Sequence, residues 1–285
     1  MKFFTQSNFL KLLFIMLSII CFFAINTTSF AFSITVTGNE ANTFRKVLQV
    51  LPYTPVGTGD KVVYVFGRPT CSATTDFYLH TNRLQKEYEF RWVIEPDLVE
   101  RNDCAGLFES RSSEQLEEIF FDETPIPAKD KKRAVIFSEI VNITPQLLGE
   151  IAGTDGRYML PLLVFDTGDS VQYISGTTDF FNGKKLRAII EPAQHMKDSE
   201  LFDIDVGIKL ATDRVPASGK FCVKQSAIQA KLLPHMDAPG FMNQLTPNSC
   251  WTIRQSIADG WLGVQRYSDP NLALGYVKKS EGTIR

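Results

Sequence analysis

Between residues 61 and 94 the chain changes its apolar period twice, and this stretch constrains the fold more than any other. Residues 61–66, KVVYVF, are a nearly unbroken apolar run rich in β-branched and aromatic side chains, the pattern of a buried strand. A short turn, GRPT, leads to a lone cysteine, Cys71. In residues 72–88 Phe77, Leu84 and Tyr88 then fall near helical spacing. Residues 88–94, YEFRWVI, alternate as a second strand, and Pro96 ends it. Strand, helix and strand in this order predict a right-handed crossover and a parallel strand pair. The cysteine then stands where the first strand hands over to the helix.

The segments around this unit are less regular. Residues 32–60 read as a short adaptor. In it residues 42–51 form a helix with Phe44, Val47, Leu48 and Leu51 on one face, ended by Pro52, Pro55, Gly57 and Gly59. Residues 113–121 predict a helix, and the charge run 129–133 predicts a solvated face. Residues 144–151 predict a short helix capped by Thr144 and begun by Pro145. Residues 158–179 read as two strands joined by a Thr-Gly-Asp turn, and residues 180–190 as a last helix. A polar linker at 191–203 contains Pro192 and marks a domain boundary. Beyond it, from 204 to 279, short apolar runs separated by Gly, Pro, Asn and Asp predict a small all-β unit.

Residues 1–31 have the composition of an export signal. Lys2 and Lys11 are basic, and residues 12–25 are uncharged and apolar but shorter than the ~20 residues a spanning helix needs. Ser29-Phe30-Ala31 offers a small-residue cleavage site that would leave Phe32 first; an uncleaved anchor is the alternative. An exported chain, most simply a periplasmic one, is expected, touching the membrane only through this segment. The net charge is −2, and losing the two signal lysines makes it −4. With no basic cluster, nothing points to nucleic acid. Setting aside Cys21 in the signal leaves Cys71, Cys104, Cys222 and Cys250. An even count in an exported chain suggests one or two disulfides, with three full pairings open. His80, His195 and His235 have no paired ligand spacing, and neither a phosphate loop nor a Gly-x-Ser-x-Gly motif is present. No metal and no cofactor are expected.

Two segments, VVYVFGRPTCSAT and YMLPLLVFDTGDSVQYISG, together resemble the thioredoxin superfamily, nearest to periplasmic thiol-disulfide proteins of the DsbC/DsbG type. The resemblance covers about residues 60–190. It implies an α/β thioredoxin-like fold with a helical insertion, and catalytic roles for Cys71, Thr74 and Pro161. Cys71 would sit at a helix N-terminus, which favours the thiolate. Pro161 would be the family's cis-proline, lying against Cys71 from 90 positions away; a trans proline at a strand edge is the plainer reading. Arg68 could lower the thiol pKa or be a solvated charge. The chain departs from the family at CSAT, where Thr74 replaces the second cysteine. A threonine can donate a hydrogen bond to a thiolate but cannot resolve a mixed disulfide. Three outcomes stay open: an external thiol resolves, Cys104 resolves or pairs with Cys71, or the cysteine is a relic on a binding domain. The family's dimerisation domain does not fit into residues 32–60, so its dimer is not carried over and the oligomeric state stays open.

The tail resembles a bacterial SH3-like barrel through Asp259-Gly260-Trp261, the LGVQRY strand after it and Gly275-Tyr276-Val277. Over residues 204–285 this implies a small β-barrel that binds peptides, glycans or proteins. Trp251 and Trp261 would be barrel core or line a ligand groove, and a Cys222–Cys250 disulfide would staple the unit. Two functions follow as expectations. One is thiol-disulfide exchange or isomerisation on envelope or secreted proteins. The other is a non-catalytic adaptor in a cell-envelope or secretion assembly.

Overall fold

The computed structural model describes residues 31–96, 104–122, 124–176, 183–196, 204–240, 245–265 and 274–285. The expected export segment up to residue 30 and most of the expected linker lie outside the described residues. In chain order the elements are β1 (Phe32–Thr37), α1 (Gly38–Gln49), β2 (Thr54–Val56), β3 (Lys61–Gly67), α2 (Ser72–Thr81) and β4 (Tyr88–Ile94). A short α3 (Leu107–Ser110), α4 (Ser113–Phe121) and α5 (Lys131–Ile151) follow, then β5 (Leu162–Asp166), β6 (Ser170–Ser175), α6 (Gly183–Ile190) and α7 (Ile204–Thr212). The tail holds β7 (Val215–Pro216), β8 (Lys220–Val223), β9 (Cys250–Ile257), β10 (Trp261–Gln265), β11 (Leu274–Lys278) and β12 (Gly282–Ile284).

The first sheet has the order β1-β6-β5-β3-β4-β2. At its centre β3 and β4 pair in parallel, from Lys61 opposite Tyr88 to Gly67 opposite Ile94. β5 runs antiparallel to β3, and β6 to β5. The β5–β6 turn is closed by Thr167 N–H donating to Ser170 O at 2.8 Å, with Gly168 at φ +93°, a backbone region glycine enters freely. Both edge strands come from the segment expected to be an adaptor: β1 pairs with β6, and β2 with β4. The sequence pattern hid β1 because only Val36 in it is buried; an edge strand is held by its ladder more than by an apolar face.

Both faces of this sheet are covered, and the side chains alternate between them as a pleat requires. Val62, Tyr64, Phe66, Leu162 and Val164 share one buried cluster with residues of α1 and α5. Val63, Val65, Trp92, Leu163 and Phe165 share the other with α2, α4 and α6. On that second face Trp92 meets Tyr78 at 5.3 Å, Phe120 at 5.5 Å and Phe77 at 6.0 Å between ring centroids. Each such ring contributes about 1.5–3 kcal/mol by burial.

Two helices differ from expectation. α2 stops at Thr81, whose hydroxyl donates to Tyr78 O at 2.7 Å. Turns through Leu84 then deliver Tyr88 as the first residue of β4, so Tyr88 is not a helical position. The predicted short helix at 144–151 is the C-terminal part of the much longer α5, with Pro145 inside it and Thr144 buried instead of capping. Proline removes the N–H that would reach Val141 O, a defect of about 3 kcal/mol in a helix interior. Ile140, Val141, Ile143, Leu147 and Leu148 are each at most 2 % exposed, and at about 1.5–3 kcal/mol each their burial outweighs that defect. Asp130 caps the true start by accepting from Arg133 N–H at 3.0 Å.

The tail also departs from the all-β expectation, because it begins with α7, packed on α5. A second sheet follows in the order β11-β10-β9-β8-β12, with β7 also pairing β9. The described residues do not close it into a barrel. It docks on α5 through a forked ion pair, Arg214 to Glu139, with both N···O distances 2.8 Å. Phe221, Trp261 and Tyr276 continue the α5 cluster.

Cys222 and Cys250 form a disulfide across directly opposed positions of β8 and β9. It closes a sequence separation of 28 residues, and the chain-entropy argument gives such a link about 3–4 kcal/mol. Replacing both cysteines by alanine should lower the unfolding free energy by about that amount in urea denaturation. Unchanged stability would mean that the second sheet does not need the link.

Candidate functional site

The C-terminal ends of β3 and β4 and the N-terminal end of β5 converge on one edge of the first sheet. β3 ends at Gly67, opposite Ile94. Phe66 pairs with Leu162, so the next step of that register sets Pro161 opposite Gly67. The Leu160–Pro161 bond is cis. The carbonyl of Pro161 accepts from Gly176 N–H at 3.2 Å, and Met159 N–H donates to Ser175 Oγ at 2.7 Å, so β6 holds the proline segment in place.

Cys71 stands at this edge as the N-cap residue of α2, half-buried, with extended backbone (φ −94°, ψ 106°) and no side-chain cap bond. Its N–H donates to Arg68 O at 3.0 Å, and its carbonyl accepts from Thr74 N–H at 2.8 Å. The four residues Arg68 to Cys71 therefore form a closed turn leading straight into the helix. Helix N-termini favour negative charge.

Thr74 is fully buried. Its hydroxyl accepts a long 3.5 Å bond from Arg68 N–H and, among the described residues, makes no hydrogen bond to the Cys71 thiol. It also packs tightly: a Cβ at Gly67 would come within 2.3 Å of Thr74 Cγ2. Only a glycine at the end of β3 lets the first turn of α2 approach this closely. Cys104 is buried in the apolar cluster that includes Leu107, Leu116 and Ile119, and neither Cys71 nor Cys104 is in a disulfide. The Cys71–Cys104 bridge that the sequence left open is not made.

The residue that sequence reasoning missed is Glu95. It follows β4, is 1 % exposed, and its N–H donates to Gly67 O at 2.8 Å. Its Oε2 accepts from Arg68 Nη2 at 2.8 Å. Arg68 is therefore a paired group, not a solvated charge, and the pair ties the Cys71 turn to the end of β4. The fit is incomplete: Glu95 Oε1 and Arg68 Nε are buried with no hydrogen-bond partner among the described residues. Burial pushes the Glu95 carboxyl up to about 7, against the opposing pull of Arg68 and Tyr158. The only sequence signal was an acid placed directly after a strand of buried residues.

Trp261, expected in barrel core or in a groove, is 3 % exposed, and Lys278 Nζ lies 4.6 Å from its ring centroid. Its face is already covered, so it is a packing residue. Trp251 is half-buried against the same cluster, its Nε1 donating to Ser249 Oγ at 3.2 Å. Among the described residues no His, Cys, Asp or Glu cluster has metal-ligand geometry.

No known family model matches the chain, and no curated protein matches it. Among solved structures it is similar to the crystal structure of Salmonella enterica Typhimurium BcfH, at 16 % identity and a TM-score of 0.35, over 54 % of this chain and 79 % of that one. That likeness is too slight to show a shared fold.

The Glu95 carboxyl has a pH signature. Its ordinary value is 4.5 and its value in the folded chain about 7. Between these the folded chain keeps a proton that the unfolded chain has released. The stability tied to this group is therefore intact below about pH 4.5 and lost as pH rises to about 7, on the order of 3 kcal/mol in all. Urea denaturation across that window should show the decline in the native chain and a much flatter profile in Glu95→Gln. An equal slope in both would assign the titration to another group.

Proposed function

We propose that this chain is an exported thioredoxin-like protein that performs thiol-disulfide exchange or isomerisation on envelope or secreted proteins, with Cys71 as its nucleophile. The observation that carries the reading is Cys71 at the N-cap of α2, on the edge where β3, β4 and Pro161 meet. The strand order β4-β3-β5-β6, with β3 and β4 parallel and the rest antiparallel, supports a thioredoxin-like arrangement for residues 61–190.

In the proposed reaction the Cys71 thiolate attacks one sulfur of a substrate disulfide. A mixed disulfide forms between Cys71 and that sulfur, and the other leaves as a thiolate. Thr74 has no sulfur and Cys104 is packed in the core, so release requires a second thiol from outside. A small thiol such as glutathione, or another cysteine of the substrate, attacks the mixed disulfide and returns Cys71 as thiolate. Attack by a substrate cysteine is isomerisation, with no net oxidation. Arg68 and Glu95 act as positioning residues that hold the turn.

The missing internal thiol also favours a second reading, in which the domain binds partner proteins without chemistry. One pair of measurements separates the two. The chain without residues 1–31 is assayed for isomerisation of a scrambled-disulfide test protein in glutathione, beside Cys71→Ala. Exchange at Cys71 predicts that Cys71→Ala falls to the glutathione background, and that Thr74→Cys, by restoring an internal thiol, shifts activity towards net oxidation or reduction. A Cys71→Ala protein with undiminished activity, or a native chain no better than background, would sink the exchange reading and leave the adaptor.

A further inference from the structure

We infer that a cavity on the opposite face of the first sheet from α2 is a binding site for a small oxyanion, a phosphate or carboxylate group. The cavity measures about 250 Å³ and lies where the end of α1, the β3–β4 pair and the starts of α5 and α7 meet. Its polar lining includes Gln49, Tyr64, Arg91, Arg111, Arg133 and Asp205, with Tyr53 beside them. It does not depend on the Cys71 chemistry, because Tyr64 belongs to the α5 side of the sheet and α2 packs on the other side.

Three guanidinium groups reach this lining, and two of them are paired with carboxylates, Arg133 with Asp205 and Arg91 with Glu89. Arg133 pairs with Asp205 at 2.6 Å. Arg91 donates from Nε to Glu89 at 2.6 Å and from Nη1 to the Tyr64 hydroxyl oxygen at 2.9 Å. Arg111 is different: it is exposed, it has no carboxylate partner among the described residues, and its contact is with the Tyr53 ring, 5.4 Å from the centroid. Arg91 lies over the same ring at 4.7 Å. Two cations thus share one aromatic ring beside a cavity, an arrangement that an anion between them would relieve.

The chemistry of the lining specifies that anion. Tyr64 is buried, and burial pushes its hydroxyl up to about 12, so it keeps its proton; the oxygen already accepts from Arg91, which leaves the proton to donate. Guanidinium forks and a phenol proton are donors, and a planar fork matches two oxygens of a carboxylate or phosphate. The volume is below the ~300–1,000 Å³ of sites for drug-sized molecules, which suits a single anionic group or a short dicarboxylate.

The test is titration calorimetry of the chain without residues 1–31, with inorganic phosphate and then succinate, using chloride at matched ionic strength as the control. The expected result is saturable binding of phosphate, succinate or both. Arg111→Ala should weaken it about tenfold or more, and Arg111→Lys, which keeps the charge but loses the fork, should fall between. Thermal unfolding of each variant in anion-free buffer verifies the fold. No saturation by either anion up to ~10 mM, or binding that Arg111→Ala leaves unchanged, would overturn the proposal.

Discussion

A 21-residue helix that buries thirteen of its residues has no solvent face wide enough to lie on the outside of a two-layer fold. α5 must be covered on nearly every side, and the rest of the chain does this. The first sheet and α1 close one side. α7 and the second sheet close another, with the Arg214–Glu139 fork satisfying the one carboxylate that this docking half-buries. Removing apolar surface from water is the dominant favourable term in folding, and here one element supplies the surface against which both sheets gain it. That is also why a proline survives in its interior.

The opposite face of the first sheet works on a smaller scale. An aromatic cluster around Trp92 fixes α2 and α4 against β4. Once α2 is fixed, the β3 strand end, the Arg68–Cys71 turn and the helix start have little freedom, and Gly67 is the residue that allows the approach to Thr74. The electrostatics follow from the packing: Glu95 is buried because β4 ends beneath the turn, and Arg68 leans inward to meet it. In the proposed function this pair is a support under the nucleophile. The arginine-lined cavity is a separate consequence of the same sheet, since alternation along β3 and β4 sends Tyr64 and Arg91 to the α5 side.

Elements with strong local signals were legible. β3, β4 and α4 fall where apolar run, alternation and helical spacing put them, and the Thr-Gly-Asp turn marks the β5–β6 hairpin. Elements stabilised mainly by what packs on them were not. The first half of α5 reads as a charge run followed by unremarkable apolar residues, and β1 looks like part of an adaptor because an edge strand has little apolar face to show. The site divided in the same way. Cys71 stood out by residue type and context, and Pro161 only through the resemblance. Glu95 did not, because nothing local distinguishes a buried glutamate from a solvated one.

By itself the sequence determined where the chain alternates, turns and breaks, and it singled out Cys71 ahead of a helix, because these are properties of a few consecutive residues. Tertiary structure decided what depends on distant neighbours. It chose which cysteines bond, with Cys222 and Cys250 brought opposite each other by the β8–β9 register. It buried Thr74 against Gly67. It buried Glu95 against Arg68, so that a carboxyl 27 positions away from that arginine titrates near neutrality. The physical reason is that burial and desolvation are set by whatever covers a residue, and on this chain the covering elements come from far along the sequence.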